Sequence, residues 1–242
     1  MPNVDFSLIL ACYDEGPTFE KNVWQIVSVL RKMKKKWEII FVEDKSTDET
    51  KKTIEKLVSQ IKNSKAIYHS KNQGRGKSVA DGIRAAQGKI CGYLDVDLEV
   101  APDYISLFIR EIKNGADMAI GRRFYEGGIK SIVRYLASKI YSVIVKTFLK
   151  IPIEDTEAGY KFFNRSKILP ILSKVGDKHW FWDTEICART SWAKLKISEI
   201  PVLFIRRHDK KSTVKLIPDI FDYIKKIIKF RLQNRNSKIF NG

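Results

Sequence analysis

The sequence predicts an α/β domain built on an open, mostly parallel sheet, and three observations carry the prediction. Short apolar runs alternate with longer stretches in which apolar residues recur every three or four positions. The early runs each close on acids, in "ILACYDE", "IIFVED" and "YLDVD". Hydrophobic residues make up 44% of a 242-residue chain, enough for one large core. In open parallel sheets ligands bind outside the carboxyl ends of strands. Asp14, Glu15, Glu43, Asp44, Asp95 and Asp97 all fall at such ends.

The elements follow in order. "FSLILAC" (6–12) is a strand, broken by Gly16-Pro17 and followed by a helix carrying Val23, Ile26, Val27 and Leu30 on one face. "WEIIFVED" (37–44) is the second strand. "STDET" opens the next helix with Ser46 or Thr47 as its N-cap. "AIYHS" (66–70) is a third strand, leading through an "NQGRGKS" loop to a helix over 78–87. "KICGYLDVD" (89–97) is a fourth strand, a helix spans 103–113, and "DMAIG" (117–121) is a fifth strand. The second half is less regular. A helix with apolar and basic faces covers 129–149, and 154–165 is a loop entering a strand. An aromatic-rich helix starts in 179–190, and a late strand covers 197–207. Residues 216–232 form an amphipathic helix with Ile217, Ile220, Phe221, Ile224, Ile227 and Ile228 on one side. The simplest partition is one domain over 1–212 and a basic extension over 213–242.

Composition narrows the functional classes. Cys12, Cys91 and Cys187 are far apart with no CxxC pair, which speaks against zinc or a disulfide framework and suits a reducing cytosol. The N-terminus has no basic leader, and no apolar run reaches the ~18–20 residues that cross a bilayer, so any membrane contact is expected to be peripheral. The net charge is +17. Residues 206–242 supply eleven Lys or Arg against three Asp. Such a surface attracts nucleic acid, anionic lipid or phosphorylated substrates, or it serves solubility alone. A nucleic-acid-binding module would account for the charge but not for acids ordered at strand ends, and no nucleic-acid partner is expected. Gly76-Lys77-Ser78 imitates the end of a phosphate-binding P-loop. Position 71 is lysine where that motif requires glycine, so a P-loop ATPase is disfavoured.

Asp95 and Asp97 sit at i and i+2. On a strand they point the same way and can converge on a hard divalent cation. Two solvated acids in a turn would read the same. Tyr13 can stack on a nucleobase, Asp44 can accept from a base N–H, and Glu15 can bond a ribose. Arg75 or Lys77 lies near where phosphates would sit. Arg122, Arg123, Arg134 and Arg207 are candidates for bidentate phosphate contacts, with Ser138 and Ser212 nearby in sequence.

Taken in order, "ILACYDE", "FVEDKSTDET", "NQGRGKSVADGIRAAQGKI", "LDVDLE", "AIGRRF", "DTEAGYKFF" and "IPVLFIRRHDKKSTVKL" resemble the family-2 nucleotide-sugar glycosyltransferases of GT-A fold. Within them the chain is most similar to the dolichyl- or polyprenyl-phosphate hexose synthases, the glucose branch somewhat more than the mannose branch. The resemblance implies a Rossmann-like sheet flanked by helices, with C-terminal amphipathic helices. Residues 1–121 would form a nucleotide-sugar half and 122–212 an acceptor half. It implies that Ala11, Tyr13, Glu15, Asp44, Lys77 and Asp95 bind the nucleotide. Asp95, Asp97 and Glu99 would hold Mg2+ or Mn2+, and Arg123, Arg134, Ser138 and Arg207 the acceptor phosphate. Asp95, Asp97 and Arg123 would carry the chemistry. The chain has Ala11-Cys12 where the family usually has Pro-Thr, Glu43 where Asp is frequent, Glu99 where many relatives have Gln, and Ala158 where the glucose branch often has Cys. The base and the sugar therefore stay open between UDP-glucose and GDP-mannose.

The implied reaction moves a hexose to dolichyl or polyprenyl phosphate by direct displacement with inversion. An ionised phosphate needs no strong base. The alternative is a saccharide acceptor with Asp183 or Glu185 as base. The acceptor's lipid tail implies an enzyme held peripherally on the cytoplasmic face of a membrane, with 216–232 as the contact. Docking of that helix on the domain or on a second subunit is the competing expectation.

Overall fold

A computed structural model describes residues 4–125, 141–206 and 216–234, with side chains from 223 onward in the last stretch. Seven strands form one sheet: β1 (Phe6–Cys12), β2 (Trp37–Glu43), β3 (Ser64–Tyr68), β4 (Ile90–Leu94), β5 (Met118–Tyr125), β6 (Tyr160–Asn164) and β7 (Ile197–Phe204). Their order is β3-β2-β1-β4-β6-β5-β7. Only β6 runs antiparallel to its neighbours, β4 and β5; the remaining pairs are parallel. The helices are α1 (Phe19–Lys32), α2 (Thr50–Gln60), α3 (Arg75–Ala85), α4 (Ile105–Lys113), α5 (helical over 141–149), α6 (Arg165–Leu172), α7 (Trp182–Trp192) and α8 (Leu216–Gln233).

The central strands β1, β2 and β4 are mostly apolar because helices cover both faces. Successive residues of β1 serve opposite cores. Ile9 joins Val79, Ile83, Trp182 and Ile227 on the face of α3, α7 and α8. Leu8 and Leu10 join Val23, Ile26, Leu57 and Phe108 on the face of α1, α2 and α4. The predicted stripe of α1 (Val23, Ile26, Val27 and Leu30) is wholly buried, each side chain stabilising by roughly 1.5–3 kcal/mol. Strand order reverses between β1 and β4, which opens the crevice at their carboxyl ends.

Several expectations require correction. The α3 helix starts at Arg75, not at 78, because Gly74 at φ +97° turns the chain early. Gly76, Lys77 and Ser78 are thus in the helix's first turns. Neither Ser46 nor Thr47 caps α2, whose N-cap is Glu49. Strand β4 ends at Leu94, so Asp95 and Asp97 do not share a strand face. They lie in a turn closed by the Leu98 N–H on the Asp95 carbonyl, with Leu98 at φ +56°. Helix α6 escaped the sequence reading because Pro170 interrupts its pattern.

Ile227 was expected on a membrane-facing side, but it lies in the core, as does Phe230. Phe230 stacks on Trp192 at 5.1 Å, and Tyr223 meets Tyr141 and Phe181 edge-on. The later half of α8 is therefore docked on the domain, with Ile228 and Leu232 facing outward. Among the described residues no helix is long and apolar enough to cross a membrane.

Candidate active site

The first wall is made by the loops after β1 and β2, which are bonded to each other. Asp14, at φ +49°, accepts from the Thr47 N–H at 2.7 Å and from the Thr47 hydroxyl. The Glu15 N–H donates to Thr50 Oγ1 at 2.9 Å, and the Gly16 N–H to Asp48 Oδ2 at 3.1 Å. "STDET" thus ties two loops together, while its Asp48 Oδ1 also accepts from the Thr50 N–H at the start of α2 at 2.9 Å. Tyr13 emerges from this framework 45% exposed, leaving its ring open to stacking. Ala11 is inside β1, opposite Val42 of β2.

Asp44 is buried at the end of β2. Its carboxylate accepts from the Gln73 and Gly74 N–H groups, each at 2.8 Å, and meets His69 Nδ1 at 2.7 Å. His69 Nε2 reaches Asp81, which also pairs with Lys77. As it stands, Asp44 anchors the loop that feeds α3, and Lys77 is engaged along its own helix.

The cleft proper is lined by Asp95, Asp97, Glu99, Val100, Arg123, Gly159, Tyr160 and Phe204. Three acids and one guanidinium thus share its lining. Burial, then the neighbouring Asp95, Glu99 and Glu15 carboxylates, push Asp97 up to about 7, although the Glu99 N–H bonds it. Gly159 presses against the Asp95 carboxylate so closely that a Cβ there would collide with it, and the Asp95 N–H donates to the Gly159 carbonyl at 3.0 Å. Arg123 is bound to Asp155 through Nε (2.7 Å) and Nη2 (2.9 Å), and its own N–H donates to the same carboxylate. Burial works to raise Asp155, but Arg123 outweighs it and holds that carboxyl below its usual range. Arg122 pairs with Glu154 and lies against the Phe124 ring.

Arg134, Ser138, Arg207 and Ser212 lie outside the described residues. Among the described residues no three acids, histidines or cysteines form a ready-made metal cage. The carboxylates around Asp97 nonetheless fit Mg2+ or Mn2+. They are hard oxygen donors whose mutual repulsion is relieved by a cation, and such ions commonly take only one or two protein carboxylates.

Behind the cleft lies a group the sequence reading did not assemble. Arg75 donates through Nε and Nη2 to Asp95 Oδ1 and through Nη1 to Asp183 Oδ2. Lys161, fully buried in β6, donates to Asp183 Oδ1 and to the Ala158 carbonyl. The Tyr93 hydroxyl also donates to Asp183. Burial would raise Asp183, but Lys161 and Arg75 hold it low. Glu185 is equally committed, to the Gly176 and Asp177 N–H groups and to Arg189 at 2.7 Å. Both residues named as bases for a saccharide acceptor are therefore buried and fully bonded, which corrects that alternative. The acid that escaped notice in "DTEAGYK" is Glu157. Burial, assisted by Asp155 and Asp183, raises it to about 7.

A family model for glycosyl transferase family 2 matches residues 7–170, more than half the chain. The chain belongs to this family. Among curated family-2-like relatives, glycosyltransferase AglD of Haloferax volcanii is 29% identical over 222 residues, covering 90% of this chain and 35% of the relative. A dolichol-phosphate mannosyltransferase of Pyrococcus furiosus is 29% identical over 241 residues, covering 96% of this chain and 65% of the relative. The chain thus spans less than two thirds of the length of either. Among solved structures, glucosyl-3-phosphoglycerate synthase from Mycobacterium tuberculosis, in complex with Mn2+, UDP and glucosyl-3-phosphoglycerate, superposes with a TM-score of 0.68 at 16% identity, covering 96% of this chain and 80% of that one. The GT-A architecture expected of the family-2 chain is the one observed.

Proposed function

We propose that this family-2 chain transfers a hexose from UDP-glucose or GDP-mannose to dolichyl or polyprenyl phosphate. One observation carries the reading: Asp95, Asp97 and Glu99 line the same cleft as Arg123. The acids suit the donor and its divalent ion, and the guanidinium suits an acceptor phosphate. An acceptor oxygen attacks the anomeric carbon from the face opposite the nucleoside diphosphate. The bond to the diphosphate breaks as the new one forms, the leaving group keeps the electron pair, and configuration inverts. The attacking phosphate is already ionised, so no proton has to be removed. This suits a site whose Asp183 and Glu185 are locked away. Mg2+ or Mn2+, when bound, would neutralise charge on the departing diphosphate, held by Asp97 with Asp95 and Glu99.

In this reading Tyr13 stacks on the base. Ala11, Glu15, Asp44 and Lys77 border the nucleotide, Asp44 through the loop it anchors. Arg123, pre-aimed by Asp155, receives the acceptor phosphate together with Arg134, Ser138 and Arg207. The Mn2+ and UDP bound by the mycobacterial neighbour and the dolichol-phosphate specificity named for the Pyrococcus relative support it. Attachment is peripheral, on the cytoplasmic membrane face, through the part of α8 preceding its docked half together with outward Ile228 and Leu232.

The test is transfer of label from each donor, with Mn2+, into polyprenyl phosphate. Chloroform-extractable label that retains the hexose supports the reading. Label found only in polysaccharide overturns it and directs attention to Glu157 as the base.

A further inference from the structure

We infer that Asp183 is a positioning residue for the donor side of the cleft, acting through Arg75 on Asp95. The inference rests on the proposed donor site and adds to it a function for α7. The four charges Lys161, Asp183, Arg75 and Asp95 alternate in sign and run from the core to the cleft. Their side chains are 0%, 3%, 14% and 44% exposed in that order. Only the last meets the cleft, so the first three act through it.

Arginine suits this task because its planar fork fixes two partners in one geometry. Three of its five N–H donors are used here, two on Asp95 and one on Asp183. The guanidinium also lies over the Tyr93 and Trp180 rings, 5.3 Å from each centroid. It therefore cannot slide along Asp95, and the Asp95 carboxylate is held with it. Asp183 is what stops the fork from turning. Without it, Arg75 would face the buried Lys161 ammonium with no anion between them. A carboxylate so enclosed cannot approach a substrate hydroxyl, so its contribution to the reaction is geometric.

The test is calorimetric titration of the full chain with UDP and with GDP, each with Mn2+, beside thermal melts. Asp183→Asn alone strands the Lys161 charge and can unfold the protein. The charge-balanced double variant Lys161→Met with Asp183→Asn removes that hazard while still depriving Arg75 of its anionic partner. The expected result is nucleotide–Mn2+ binding weakened about tenfold to a hundredfold, the usual cost of losing an outer-shell support. The melting temperature should stay near that of the wild type, and the KM for polyprenyl phosphate should not change. Wild-type binding by the double variant overturns the inference. So does unchanged binding with collapsed kcat, the mark of a base. A double variant that fails to fold also overturns it, since the network would then be purely structural. If the wild type binds nucleotide but transfers no hexose to polyprenyl phosphate, the functional reading falls while weakened binding in the variant still upholds the positioning role. A wild type that binds neither nucleotide overturns both.

Discussion

Asp97 and Asp183 lie on either side of the Arg75–Asp95 pair, and their surroundings treat them oppositely. Asp97 is half-buried among carboxylates and is pushed up to about 7. Asp183 is more deeply buried, yet it is held low because Lys161, Arg75 and Tyr93 all reach it. Burial penalises both; the sign of the neighbours decides which one wins. An acid whose neighbours are cations is completed by the protein itself. An acid whose neighbours are acids gains from a cation, and in the proposed reading that cation accompanies the donor diphosphate. The difference teaches that closeness to the active site is a poor guide to a carboxylate's role and that its counter-charges are a good one.

Replacing each acid's support should break the comparison in opposite directions. The largest effect is expected from Asp97→Ala. Turnover should fall by on the order of a thousandfold or more, since a metal supplies several kcal/mol of charge stabilisation, while circular dichroism and melting temperature hold. Near-wild-type turnover with Mn2+ present would remove Asp97 from the metal site. Next comes Lys161→Met, which leaves Asp183 in the core without its buried cation. Urea unfolding should show a loss of about 3–5 kcal/mol; a loss under 1 kcal/mol would mean that Arg75 alone satisfies Asp183.

The smallest effect is one of pH. The folded carboxyl of Asp97 titrates at about 7 and an unfolded one near 3.9. Between these values the folded state binds more protons, so metal-free stability falls as pH rises through the window and levels off above it. Asp183 has the reverse sign: its contribution is present above the unfolded pKa and is lost as pH falls through its lowered folded value. Mn2+ must displace the Asp97 proton, so its affinity should climb by up to tenfold per pH unit as pH rises to about 7 and then flatten. A flat calorimetric profile from pH 5 to 8 would place the metal elsewhere.

The ends of β1 and β2 were legible because apolar runs stop abruptly at polar residues, and the stripe of α1 was legible because its period is local. The geometry of Asp95 was not. It depends on a turn with Leu98 at positive φ and on contact with Gly159, far along the chain. The role of Asp183 was hidden for the same reason, since its partners Arg75, Tyr93 and Lys161 come from three separate elements. One signal was available. Lys161 lies within "YKFF", and a lysine among aromatics on a central strand must find an acid. The place of Ile227 stayed open between membrane and domain because hydrophobic periodicity shows that a face is covered without showing what covers it. Lipid and Trp192 ask for the same residues.

The single reversed strand also governs the order in which the molecule can be made. Among the described residues β6 is the strand that links β4 to β5 in the sheet, and it pairs Leu94 with Tyr160 across a long intervening chain. During synthesis β1 to β4 can assemble as soon as they emerge, yet β4 then carries an open edge of unpaired N–H and C=O groups. Closing so distant a pair costs loop entropy before any contact repays it. Gly159 reaches Asp95 only when β6 docks, so the half proposed to hold the nucleotide can form early while its Asp95 carboxylate is set late. A nascent chain stalled before residue 160 should therefore protect β1 and β2 from hydrogen exchange while leaving open the amides on the β6-facing edge of β4.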